Sequence, residues 1–149
     1  MSRQLSESSA QVLLEQACLA DGLSADDATL MRIGSNAVYH LAAPVVVRIS
    51  RQGVDVDDVR RAVAVARWLE SVNYPAVRAI DVDQPIVING HVVTFWESVS
   101  KDGQQYATVG EVAGVLAKLH KLTAPSDLEL PELAPFANAA NRIRDSAWL

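Results

Sequence analysis

The chain has 149 residues, half of them hydrophobic, which suffices for one well-cored domain or one lobe of a larger protein. Its 13 Lys and Arg against 18 Asp and Glu give a formal charge of −5, so there is no basic footprint for nucleic acid and no cationic cluster for an anionic membrane. A single Cys18 excludes an internal disulfide or a cysteine-based zinc site, the first residues contain no apolar signal region, and no apolar run approaches the roughly 18 residues of a membrane span; the composition therefore points to a cytoplasmic protein with small molecules or proteins as partners.

In chain order, Val12, Leu13, Cys18 and Leu19 recur at helical spacing and predict a packing helix over 8–21 stopped by Gly22, with Cys18 buried. A polar turn at 24–27 leads to a strand over 28–33, a loop at Gly34, a return strand over 38–41, a turn at Ala43-Pro44 and a third strand over 45–50. Gly34-Ser35-Asn36 join a residue that tolerates positive φ to a hydroxyl and an amide. Such a triplet suits an ordinary hairpin turn and equally a loop laid over phosphates. Arg48 falls inside a β-branched run, where a charge either snorkels from the strand or meets an anion.

Asp55, Asp57 and Asp58 form the acidic first turn of a helix running to about residue 72, with a predicted buried stripe of Val59, Ala62, Val63, Ala66 and Leu69. These aspartates lack the glycine and distal glutamate of a calcium loop, and no other acid, His or Cys pair has metal-ligand spacing. Asn73-Tyr74-Pro75 ends the helix, 77–82 reads as a fourth strand, and Asn89-Gly90 marks a hairpin between 86–88 and 91–97. Trp68 and Trp96 read as core aromatics with a hydrogen-bonded N–H. A polar connector over 98–107 precedes Thr108 and Glu111, a capping box for a helix carrying Val112, Ala113, Leu116 and Leu119 and closed by Lys118, His120 and Lys121. Residues 124–135 read as a proline-containing loop and 136–149 as helical.

Five segments carry a resemblance: R-I-G-S-N-A-V-Y-H-L, V-V-V-R-I-S-R, V-A-V-A-R-W-L-E-S-V-N-Y-P-A-V-R, Q-P-I-V-I-N-G-H-V-V-T-F-W-E and V-A-G-V-L-A-K-L-H. Over 30–122 the chain resembles the amino-terminal lobe of the bacterial aminoglycoside phosphotransferase family, which has a protein kinase-like fold. The resemblance implies an α+β fold, an antiparallel sheet of about five strands with packed helices. It divides the chain into an N-terminal helix (1–27), the lobe (28–98), an inter-lobe connector (99–107) and the start of an incomplete helical second lobe (108–149).

It also implies ATP as the bound nucleotide. Gly34, Ser35 and Asn36 match the loop over the phosphates, Arg48 the phosphate-contacting lysine, and Trp96, Glu97 and Ser98 the segment whose backbone meets the adenine edge. Ala62 stands where the family has the glutamate that holds this cation. The family's H-G-D loop has no counterpart among His40-Leu41-Ala42, His91-Val92-Val93 and His120-Lys121-Leu122, so no residue is assigned to catalysis and magnesium is expected only with a missing second lobe. A nucleotide-binding lobe without the catalytic half follows from this reading. The alternative is a non-catalytic interaction module that uses the helix over 109–121 to form a homodimer or to meet the missing lobe; an unrelated α+β domain with similar hairpins is a third reading.

Overall fold

The computed structural model describes residues 5–99 and 106–132. The first helix, α1 (Glu7–Ala20), is capped by Ser6, whose side chain accepts from the Ser9 N–H while the Ser9 hydroxyl takes the Ser6 N–H. It ends at Gly22, where φ is +68° and the Leu23 N–H donates back to the Cys18 carbonyl at 2.8 Å. Its buried face is Ala10, Leu13, Leu14, Ala17 and Cys18. Val12 and Leu19, counted above as packing positions, are exposed, so the inward stripe sits one position away from them.

Five strands form one antiparallel sheet: β1 (Thr29–Ile33), β2 (Asn36–His40), β3 (Val45–Ser50), β4 (Ile86–Ile88) and β5 (His91–Glu97), in the spatial order β1-β2-β3-β5-β4. The predicted α+β architecture is thus the observed one. The period of two in each strand separates two faces. Ala37 and Tyr39, Val47 and Ile49, Val93 and Phe95 are buried with the inner side of α1 in the main core. On the opposite face the register sets Val38, Arg48 and Thr94 in one row and His40, Val46 and Trp96 in the next.

The Asn89-Gly90 hairpin forms as predicted, with φ of +51° and +78° at its two central residues. The predicted fourth strand over 77–82 does not form a named strand. It touches the sheet through a single bridge of Ala79 to Trp96, while the Ile80 N–H donates to the Phe95 carbonyl at 3.2 Å. A side chain takes the place of the ladder: buried Gln84 accepts from the Phe95 N–H at 2.8 Å and donates to the carbonyls of Ile80 and Phe95.

The helix α2 (Val56–Ser71) is capped by Asp55, which accepts from the Asp57 N–H. Only Val63 and Ala66 of its predicted stripe are buried, against Ala79 and Trp96; Val59 and Leu69 are half-buried and Ala62 is exposed. The last helix, α3 (Val109–Leu119), starts at the predicted capping box of Thr108 and Glu111, whose hydrogen bonds hold the Glu111 carboxyl below its ordinary pKa. None of its residues is buried, and a hydrogen bond from the Tyr74 hydroxyl to the Val115 carbonyl ties it to the chain leaving α2. The predicted helical stretch over 136–149 and most of the connector lie outside the described residues. No helix among the described residues is long and apolar enough to cross a membrane.

Candidate functional site

The sheet face turned away from α1 opens into two adjoining cavities. The first, about 320 Å³, is polar at one end: Ser35, Asn36, Arg48, Ser50 and Arg51 come from the β1–β2 hairpin and β3, Asp58, Val59 and Ala62 from α2, and Val92, Thr94 and Trp96 from β5. The second, about 430 Å³, is predominantly apolar and is walled by Met31, Val38, Val46 and Val77, with Glu97, Ser98 and Val99 at the start of the connector. Arg48 and Trp96 line both.

Arg48 reaches this position because β3 alternates. Val47 and Ile49 point into the core, so the side chain between them must leave through the opposite face. It is exposed at the cavity wall, so the desolvation cost anticipated for a cation in a β-branched run does not arise. Among the described residues its guanidinium makes no hydrogen bond and no ion pair. Trp96 is half-buried rather than a full core residue, and its indole N–H donates to the Thr94 hydroxyl at 2.9 Å, which fixes the ring between the cavities.

Ser35 and Asn36 line the polar cavity, with Asn36 already the first residue of β2. Gly34 lies on the other side of this turn, in a hollow with Leu5, Ser6, Glu7 and Ile33 beside the start of α1. It does not use a positive φ, and a Cβ there would meet nothing within 4 Å. The turn therefore offers Ser35 and Asn36 to the cavity, and conformational freedom at Gly34 is not what shapes it.

Along the connector, the Glu97 N–H donates to the Arg78 carbonyl and the Ser98 N–H to the Pro44 carbonyl, each at 2.9 Å. Ser98 Oγ lies 2.9 Å from His40 Nε2, so the segment is anchored to β2 and to the β2–β3 turn. Two of the backbone donors expected along an adenine edge are thus committed within the chain. The side chains of Trp96, Glu97 and Ser98 nonetheless wall the apolar cavity, together with Val99.

A strand hairpin over a polar cavity, a cation at the middle of the central strand and an apolar cavity running to the connector match the order of segments that suggested the resemblance. The sequence profile of the phosphotransferase enzyme family matches residues 31–148. The chain belongs to this family. No curated protein sequence matches it significantly.

Several residues that line the two cavities do not stand out in the sequence. Arg51, Ser50 and Thr94 flank Arg48, and Asp58 faces the same cavity from α2 although it reads as one of three helix-start aspartates. A signal existed for Ser50 and Thr94, which share the strand parity of Arg48, whereas nothing local marks Asp58 apart from Asp57. The residues with raised pKa values lie elsewhere. Burial, then Asp21, pushes the Cys18 thiol up to about 11, and burial, then Glu7, raises the Tyr39 phenol, both on the α1 side. Among the described residues no group of three or more His, Cys, Asp or Glu is arranged to hold a metal ion.

Proposed function

We propose that the two cavities form one nucleotide site, and that this chain supplies the ATP-binding lobe of a small-molecule kinase. The observation that carries the reading is the shared wall: Arg48 and Trp96 border both the polar and the apolar cavity, so a ligand with an apolar ring and an anionic tail fits across them. The base lies between Met31, Val38, Val46 and Trp96. The phosphates lie under Ser35 and Asn36 and over Arg48 and Arg51, where guanidinium groups match phosphate oxygens in pairs. Gly34 lies outside the cavity and is not given a ligand contact. Magnesium and the transfer step belong to a second lobe, which in this family carries the catalytic loop; no residue described here is assigned to that step.

Thermal unfolding with increasing ATP and magnesium tests the reading. A ligand that binds only the folded state at 100 times its dissociation constant adds about 2.7 kcal/mol, so millimolar nucleotide raises the melting temperature of the wild-type chain by several degrees. An unchanged melting temperature in a folded sample overturns the reading. A second reading, an interaction module, is favoured by α3, where Val109, Val112, Val115 and Leu116 are exposed together. It is the better account if sedimentation shows concentration-dependent dimers and nucleotide has no effect.

A further inference from the structure

We propose that Asp58 is the positioning residue for Arg48, a carboxylate that draws the guanidinium over the polar cavity when phosphates are bound. The inference deepens the nucleotide reading and rests on it. Among the described residues three charges line this cavity, and two of them, Arg48 within β3 and Arg51 just after it, are cations. Asp58 is the only acid on that wall among the described residues. Two guanidinium groups sharing a cavity repel each other, and a single facing carboxylate relieves that repulsion and gives one of them a direction.

The α2 face explains why the acid stands at this position. Ala62 follows Asp58 by one helical turn, lines the same cavity, and brings no polar atom to it. The neighbouring Asp57 faces away, pairs with Arg60 and lines a separate hollow with Asp127 and Glu129. Asp58 has one oxygen, Oδ1, held by Arg61 at 2.7 Å. Arg61 thereby holds the carboxylate at the wall that it shares with Arg48, which makes no ion pair among the described residues. Both side chains, Arg48 and Asp58, are exposed and are not paired with each other in this structure, so the interaction contributes little to folding; its effect is on where the cation sits once its ligand is bound.

The test is calorimetric titration of the whole chain with ATP and magnesium. Asp58→Asn weakens binding about tenfold, a loss typical of one charge-assisted contact, whereas Asp57→Asn on the same helical turn leaves it unchanged. Arg48→Gln weakens binding, and Arg48→Gln with Asp58→Asn is no weaker than Arg48→Gln alone, because the two act as one unit. Ala62→Glu added to Asp58→Asn restores affinity, since a longer acid on the same wall reaches the same cation. Equal losses in the Asp57 and Asp58 variants would reduce Asp58 to a helix-start charge and overturn the inference, as would additive losses at Arg48 and Asp58. If the wild-type chain binds and Asp58→Asn binds equally well, this inference falls and the nucleotide site stands; if the folded wild-type chain binds no nucleotide, both fall.

Discussion

On the α1 face of the sheet Val47, Ile49, Val93 and Phe95 are fully buried, while on the same strands, one residue along, Arg48 is exposed and Val46 and Trp96 are half-buried. The difference follows from what covers each face. Five residues of α1 are buried in a continuous core with the sheet, whereas α2 buries Val63 and Ala66 against a small satellite of Ala79 and Trp96. One sheet therefore carries stability on one side and an open, charged cleft on the other. Strand β5 marks the transition, buried on both sides through Thr94 and opening at Trp96. Substitutions on the first face should act on folding, and those on the second on binding.

The largest expected effect is on the closed face. Phe95→Ala removes a fully buried ring and should cost about 3–5 kcal/mol, enough to unfold much of a domain of ordinary stability. Chemical denaturation checks it, and a loss below about 1 kcal/mol would dissolve the distinction between the faces. Gln84→Ala tests the seam between them, because its amide satisfies the Phe95 N–H and the carbonyls of Ile80 and Phe95. Leaving the Phe95 N–H and the Ile80 carbonyl without this partner should cost about 1–3 kcal/mol, with faster hydrogen exchange at the Phe95 amide as the local sign.

The closed face was the more legible in sequence. Alternation in Val45–Ser50 and the Asn89-Gly90 turn each report a local preference that the fold obeys. The cleft was legible only where its residues share that alternation, as Arg48 does. A helical period predicts which side of α2 faces inward but not how wide its contact is, so Ala62 was counted as buried when it lines a cavity. The segment over 77–82 has strand-forming residues and bonds to β5 at Arg78 and Ile80, yet the ladder stops there because Gln84, from beyond its end, takes the Phe95 N–H and the Ile80 carbonyl. Arg51 and Asp58 reach the same cavity through tertiary packing, which no local pattern records.

Arg48→Ala makes the converse test on the open face. Its side chain is exposed and has no partner among the described residues, so unfolding should change by no more than about 0.5 kcal/mol. The same substitution should abolish most of the nucleotide-induced rise in melting temperature. A large folding loss would show instead that Arg48 belongs to the structural side of the sheet.

The smallest effect comes from a flaw in the closed face. Asp21 caps the carboxyl end of α1, where the helix dipole disfavours an anion, and its Oδ2 is buried without a hydrogen-bond partner among the described residues. Burial, then the charge of Asp83, raises its pKa above the ordinary carboxylate value. The folded chain thus holds this proton more tightly than the unfolded chain does. The resulting stability is fully present below the ordinary carboxylate pKa and is lost as pH rises through the raised one. At neutral pH the wild-type chain carries an unfavourable charge that Asp21→Asn removes, so the variant should be slightly more stable there, by no more than about 0.5 kcal/mol because solvent screens the charge. The gain should shrink towards acid pH as Asp21 becomes protonated, and added salt should reduce the part due to Asp83. Denaturant midpoints of the two proteins across this pH range measure it; a gain that stays constant with pH would assign the effect to packing rather than to charge.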